Sequence, residues 1–204
     1  TNMQVVSKIS GLPRKDGKRN IPPNREPKSF QWNVEQYYQM YDLGFFQGRR
    51  VELIRGEIIE MSPMKSTHMV AIQLMNEALR VVFGEGHMIS MQMPLRLSDT
   101  NEPEPDIAVV KGQIRDFVET HPDRAELIVE VSETTLRFDR GKKASLYAQH
   151  GIEDYWIINI KDRQVEVNRQ PSKNADKKAY YAEQIIYRED QSISPLAKPK
   201  GKIK

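Results

Sequence analysis

Residues 126–160 read ELIVEVSETTLRFDRGKKASLYAQHGIEDYWIINI. The segment divides into three parts. Leu127-Ile128-Val129 lies between Glu126 and Glu130, a short aliphatic run bounded by acids, and predicts a strand. From Asp139 to about Gln149, Lys143, Leu146, Tyr147 and His150 recur at spacings of three and four, which predicts a helix, and Gly151 supplies its stop. Tyr155-Trp156-Ile157-Ile158-Asn159-Ile160 is apolar on both faces, as expected of a strand buried between layers.

Upstream, Pro105-Asp106-Ile107-Ala108-Val109-Val110 reads as another strand with an acid at its start, preceded by a turn-rich Ser98–Glu104 and a strand near 88–97. A long helix capped by Ser66 or Thr67 carries His68, Ile72, Met75, Leu79 and Val82 on one face and stops at Gly84 and Gly86. Val51-Glu52-Leu53-Ile54 and Glu57-Ile58-Ile59-Glu60-Met61 flank Arg55-Gly56, a hairpin signal that Pro63 ends. Asn33 followed by Gln36 predicts a capped helix over about 33–43, ending at Gly44. Downstream, Gln164–Val167 continues as a hairpin, and Ala179–Tyr187 adds an outer strand. Helix, strands, helix and strand in this order predict an α/β chain of the α+β kind, a mixed sheet with helices packed on it. There is no internal repeat.

The chain has 204 residues, enough for one domain with a core over 30–190 and short for two. It has no cysteine, which removes disulfides, thiolate metal sites and cysteine nucleophiles. No apolar run approaches the roughly 20 residues needed to span a bilayer. The first thirty residues lack the apolar stretch of a signal peptide, so a soluble, cytoplasmic protein with no membrane partner is expected. The net charge of +3 is unevenly spread: residues 1–30 carry +5, residues 191–204 carry +4, and the body between them carries −6. Residues 1–29, with Pro13, Pro22, Pro23 and Pro27 among charges, read as a flexible basic arm. Residues 191–204, with Pro195 and Pro199 among lysines, read as a disordered basic tail. Basic arms suit contact with a polyanion, and equally suit solubility; the acidic body argues against a broad basic groove.

Two residues carry the chemistry. Asp106 opens one strand and Glu130 lies toward the end of another, so on neighbouring strands their carboxylates can converge. Two such groups repel unless a cation sits between them, and a hard divalent ion prefers oxygen ligands. Acids at strand ends are also common without any such role. Lys143 falls on the inward face of its helix with Leu146 and Tyr147, while Lys142 shares with Ser145 and Gln149 a face expected to meet solvent. An inward ammonium needs an anionic partner: the two carboxylates, or Asp139 four residues back, unless it snorkels to solvent. Glu52 is either an additional acid for the site or an ordinary hairpin charge. His68, on the apolar face of its helix, is either a core histidine or a phosphate or carboxylate contact.

Taken in order, Glu52-Leu53-Ile54-Arg55-Gly56-Glu57-Ile58, Ser62-Pro63, His68, Pro105-Asp106, Glu130-Val131-Ser132, Asp139 with Lys143 and Tyr147, and Gly151 to Trp156 resemble a large restriction-endonuclease family abundant in cyanobacteria. That family lies within the PD-(D/E)XK nuclease superfamily, and the resemblance spans about residues 33–160. It implies a restriction-endonuclease-like core, a central mixed sheet flanked by helices, in which Asp106 and Glu130 bind Mg²⁺, with Mn²⁺ as a substitute. The superfamily's lysine normally lies two residues after the second acid, where this chain has Ser132. The resemblance implies that the helix lysine, Lys143, takes its place, with Glu52 and His68 as further site residues.

The activity so implied is hydrolysis of phosphodiester bonds in double-stranded DNA. A homodimer would supply the two active sites needed to cut both strands, although no interface is legible in the sequence. The alternatives are a catalytically silent nuclease fold that binds or regulates, and a hydrolase of other phosphoesters. Deleting residues 1–29 is expected to weaken DNA binding and flatten its salt dependence if the arm touches phosphates.

Overall fold

The computed structural model describes residues 26–204, so most of the expected basic arm lies outside the described residues. The architecture below is that of the unit Gln31–Lys204. It starts with helix α1 (Val34–Asp42), closed by the reciprocal Asn33–Gln36 capping box that its sequence predicts. Strands β1 (Val51–Ile54) and β2 (Glu57–Glu60) form a two-stranded hairpin. Its turn residues, Arg55 and Gly56, both have positive φ, as a two-residue hairpin turn of type I′ requires. Gly56 is also needed for space, because a Cβ there would lie 2.6 Å from Cβ of Gln31.

Helix α2 (Ser66–Phe83) buries Ile72, Met75, Asn76, Leu79 and Phe83. Neither Ser66 nor Thr67 caps it; Lys65 is the N-cap residue and caps with no side-chain bond. Both residues already lie inside its first turn, and Thr67 donates its hydroxyl to Glu133.

Six strands form the main sheet in the order β3 (His87–Met91), β4 (Ile107–Lys111), β5 (Leu127–Ser132), β6 (Asp154–Asn159), β7 (Gln164–Lys173) and β8 (Ala179–Arg188). Only β5 and β6 are parallel, so the sheet is mixed. Parallel neighbours need a crossover, usually helical. Here it comprises α3 (Leu136–Phe138), a π-turn (Asp139–Lys143) and α4 (Ala144–Gln149).

The two faces of the sheet carry separate cores. Ile107, Val109, Leu127, Val129, Val131 and Trp156 pack with α2, while Ile128, Tyr155 and Ile157 pack with Leu146 and Tyr147 of α4. This explains why β6 reads as apolar on both sides. The strand expected near 88–97 is shorter, because the chain turns at Gln92, whose φ is 51°.

The C-terminal segment differs from its expected disorder. Ile193 and Ile203 pair with each other and are buried against the α2 face of the sheet. Four lysines and two prolines obscure these two isolated apolar anchors in the sequence. The segment is also tied to Asp154, a fully buried carboxylate that accepts from Leu196 N (2.8 Å), Arg169 Nε (2.8 Å) and Trp156 Nε1 (2.7 Å). Asp154→Ala leaves those donors unpaired together and is expected to cost about 3–5 kcal/mol. Urea unfolding measures that loss, and limited proteolysis should open the chain after Ser194 in the variant alone.

Candidate active site

The register Ile107↔Val129 and Ala108↔Ile128 sets Asp106 opposite Glu130, on the sheet face beneath the crossover helix. The two acids interlock through the backbone. Val131 N–H donates to Asp106 Oδ2 at 2.8 Å, and Asp106 N–H points to Glu130 Oε2 at 3.4 Å. Gln92, held by its left-handed backbone at the end of β3, donates its amide to Asp106 Oδ1 at 3.2 Å.

Lys143 ends the π-turn and is 2 % exposed. Its Nζ stands 2.9 Å from Glu130 Oε1 and 3.3 Å from Glu52 Oε2. Its ion-pair partners are therefore on other elements, and Asp139 instead accepts from Thr135 at 2.7 Å. The wider turn matters because an extra residue in a helical turn shifts the register of the residues that follow. Tyr147, fully buried, donates to the same Glu130 Oε1 at 2.6 Å. The neighbouring Lys142 pairs with Glu57, and Ser145, expected to face solvent, is buried and donates to Ala179 O. The outer strand β8 covers that helix face, which the helical periodicity alone could not reveal.

Glu52 is fully buried on β1, and its Oε2 accepts no hydrogen bond. His68, near the start of α2, places Nε2 at 3.1 Å from Asp106 Oδ2 but off the line of a hydrogen bond. Glu52, His68, Asp106, Glu130 and Lys143 line one narrow cleft of about 50 Å³ together with Glu104 and Asp139. Such a volume admits a few water-sized bodies. Among larger depressions elsewhere are one of about 610 Å³ beside Arg80, His87 and Arg115 and one of about 440 Å³ between α2 and the β6–β7 turn. Neither gathers such a set of carboxylates.

Charge in the cleft is unbalanced, six carboxyl groups lining it against the cations of Lys143 and the rim residue Arg50. Burial would strip the proton from Lys143, but Glu130, Glu52 and Asp139 outweigh it and keep the ammonium charged. Burial pushes Glu130 up to about 8; Lys143 opposes this, and the charges of Asp106, Asp139 and Glu52 add to it. Burial would also raise Asp106, yet the imidazole of His68, Val131 N–H and Lys143 hold it below the usual carboxylate range.

A carboxyl whose folded pKa exceeds its unfolded value binds the extra proton in the folded state, so its contribution to stability falls as pH rises between the two. Metal-free protein is therefore expected to lose stability from about pH 4.5 to about 8 through Glu130. In Glu130→Gln that slope should flatten. Urea midpoints in chelator across this range test it, and parallel slopes in the two proteins would refute the assignment.

Asp106, Glu130 and Glu52 offer hard oxygen donors in a region of excess negative charge, which suits a divalent cation. Among the described residues, no three His, Asp or Glu side chains are arranged as a ready-made set of ligands. Mg²⁺ commonly uses one or two carboxylates and completes its shell with water and substrate phosphate, so the donor chemistry fits an open site. Gln92 and Glu104 were not singled out in the sequence. Glu104 could have been, since Glu102, Glu104 and Asp106 alternate with prolines. Gln92 carries no local signal, because only the turn after β3 aims it.

The fold has a solved counterpart. The crystal structure of "a putative nuclease belonging to DUF820 from Anabaena variabilis" matches with a TM-score of 0.58 over 74% of this chain and 83% of that one, at 16% identity. The two share a fold, a mixed sheet flanked by helices. The family follows from the sequence: the model of the Uma2 family, described as "Putative restriction endonuclease", matches residues 34–201, and the chain belongs to that family. No curated protein matches. The family match runs well beyond residue 190, in keeping with the buried positions of Ile193 and Ile203. Among the described residues, no helix is long and apolar enough to cross a membrane.

Proposed function

We propose that the chain is a Mg²⁺-dependent endonuclease that hydrolyses phosphodiester bonds in double-stranded DNA, with Asp106 and Glu130 as the metal-holding pair. The observation that carries this reading is the meeting of Asp106, Glu130 and the buried ammonium of Lys143 at one cleft, drawn from two strands and the crossover helix. A bound divalent ion would polarise the scissile phosphate and make an attacking water more acidic.

The chain's own residues do the rest. Asp106 and Glu130 present their oxygens from strand ends fixed by backbone hydrogen bonds, so the pair is preorganised. Lys143 holds a proton that it does not give up at neutral pH, and acts through charge, steadying the negative charge that builds on the phosphate. Tyr147 orients Glu130 from behind. Glu52 keeps Lys143 within the cleft, and His68 keeps Asp106 ionised. These are positioning roles, and the conservative variants Tyr147→Phe and Glu52→Gln are expected to lower the turnover number while leaving DNA affinity unchanged.

Supercoiled plasmid incubated with Mg²⁺ or Mn²⁺, with a chelator control, tests the reading directly. Metal-dependent nicking that disappears in Asp106→Ala supports it. Linear product formed without a nicked intermediate would support a homodimer. Duplex binding without cleavage in either metal would assign the fold to a binding or regulatory role, and cleavage of RNA or nucleotides alone would redirect the substrate.

A further inference from the structure

We propose that the domain carries a second site, for a phosphate group, built on Arg55 and separate from the carboxylate cleft. A polar cavity of about 350 Å³ opens between the β1–β2 turn, α4 and the β7–β8 connection, lined by Arg55, Thr100, Ser145, Gln149, Lys177 and Lys178. Ser145 follows Lys143 by two residues, about 200° around a helix, so this cavity and the cleft lie on different sides of the crossover helix. The volume falls within the range of small-ligand pockets.

Arg55 occupies the first turn position of the hairpin, with φ of 53°. Asn, Asp or Gly are favoured there because they tolerate the left-handed region. An arginine is a costly choice for a turn whose only task is to reverse the chain. Its backbone N–H is pinned to Asn101 Oδ1 at 2.6 Å and its Nη2 donates to Ser145 Oγ at 2.9 Å, so the side chain is held at the cavity. Its Nε is buried and donates to nothing, although a buried donor without an acceptor is disfavoured.

The surrounding charge points the same way. Lys177, also in the left-handed region with φ of 61°, and Lys178 bring two more cations to the cavity. Among the described residues, none of the three makes an ion pair, and Asp176 is the one acid in the lining. Nearby His150 keeps a buried Nε2 without a partner, and its proton affinity is lowered by burial and by the charge of Arg55. The Arg55 guanidinium, two ammonium groups, the Thr100 hydroxyl and the Gln149 amide together match a tetrahedral oxyanion bearing several acceptors. The phosphate could come from a DNA backbone or from a free phosphate monoester.

The full chain is titrated in chelator, so that no cleavage is involved, with inorganic phosphate and thymidine 5′-monophosphate, and amide shifts are followed by NMR. Millimolar binding is expected, with shifts at residues 55–56, 100–101 and 176–179, unchanged in Asp106→Ala. Lys177→Gln/Lys178→Gln changes only exposed side chains and should weaken binding at least fivefold; Arg55→Gln should weaken it further. Absence of binding by the wild type, or equal binding by both variants, overturns the site whether or not the protein cuts DNA. Fluorescence anisotropy with a 20-base-pair duplex then separates the sources. A salt slope reduced by about one to two in the variants assigns the site to backbone phosphates, whereas unchanged duplex binding leaves the free monoester as its ligand.

Discussion

Lys143→Met is expected to reduce plasmid nicking by about 10²–10³-fold or more and, in the same protein, to lower metal-free stability by about 3–5 kcal/mol. Both effects have one origin. The ammonium is 2 % exposed and is the cation between Glu130 and Glu52, themselves 3 % and 0 % exposed. Its removal takes away the positive charge that would face the phosphate and leaves two buried carboxylates unpaired. The second change separates the two effects: Lys143→Met/Glu52→Gln relieves the repulsion and should recover part of the stability but none of the cleavage. Urea unfolding and plasmid nicking on the same samples provide the comparison. A single variant as stable as the wild type would mean that the buried lysine does not balance those acids, and retained cleavage would remove it from the site.

Asp106→Asn is expected to abolish metal binding and nicking while leaving the fold in place, because the amide retains an acceptor for Val131 N–H. The direct readout is ligand-linked stability. A cation at one hundred times its dissociation constant raises the stability of the wild type by about 2.7 kcal/mol, and the variant should gain almost nothing. Glu130→Gln should behave alike towards metal but differ without it, since it also removes a carboxyl that burial and its acidic neighbours disfavour. Calorimetric titration of Mg²⁺ and Mn²⁺ into the three proteins checks the set. A wild type that no divalent ion stabilises, even beside duplex DNA, would favour the binding role over catalysis.

Much of the architecture was legible because its signals are local. The Asn33–Gln36 box needs only four residues, and the Arg55-Gly56 turn only two. β6 announces its burial by having no polar face, and Gly84 and Gly151 end helices where a left-handed residue is needed. The inward direction of Lys143 also follows from spacing, but its partners do not. Periodicity left Asp139, solvent and the distant acids open, and the observed pairing spans 13 residues to Glu130 and 91 to Glu52. The same limit explains the misread surfaces. Ser145 belongs to a helix face that β8 covers, and Ser66 and Thr67 do not cap α2 because the helix starts at Ser66, with Lys65 as its N-cap.

What the sequence determined by itself is the set of elements and the residue types able to act: two strand-end acids, an inward lysine, a mixed order of helices and strands, and the family that these define. What only the tertiary structure decided is which strands are neighbours and in what register. The antiparallel pairing of β4 with β5 places Asp106 opposite Glu130, the parallel crossover with its π-turn lowers Lys143 onto them, and the β1–β2 hairpin closes the cleft with Glu52. The reason is physical. Helix and strand periods are set by backbone geometry within a few residues, whereas convergence of charges across the chain depends on how two separate apolar cores pack against the two faces of one sheet.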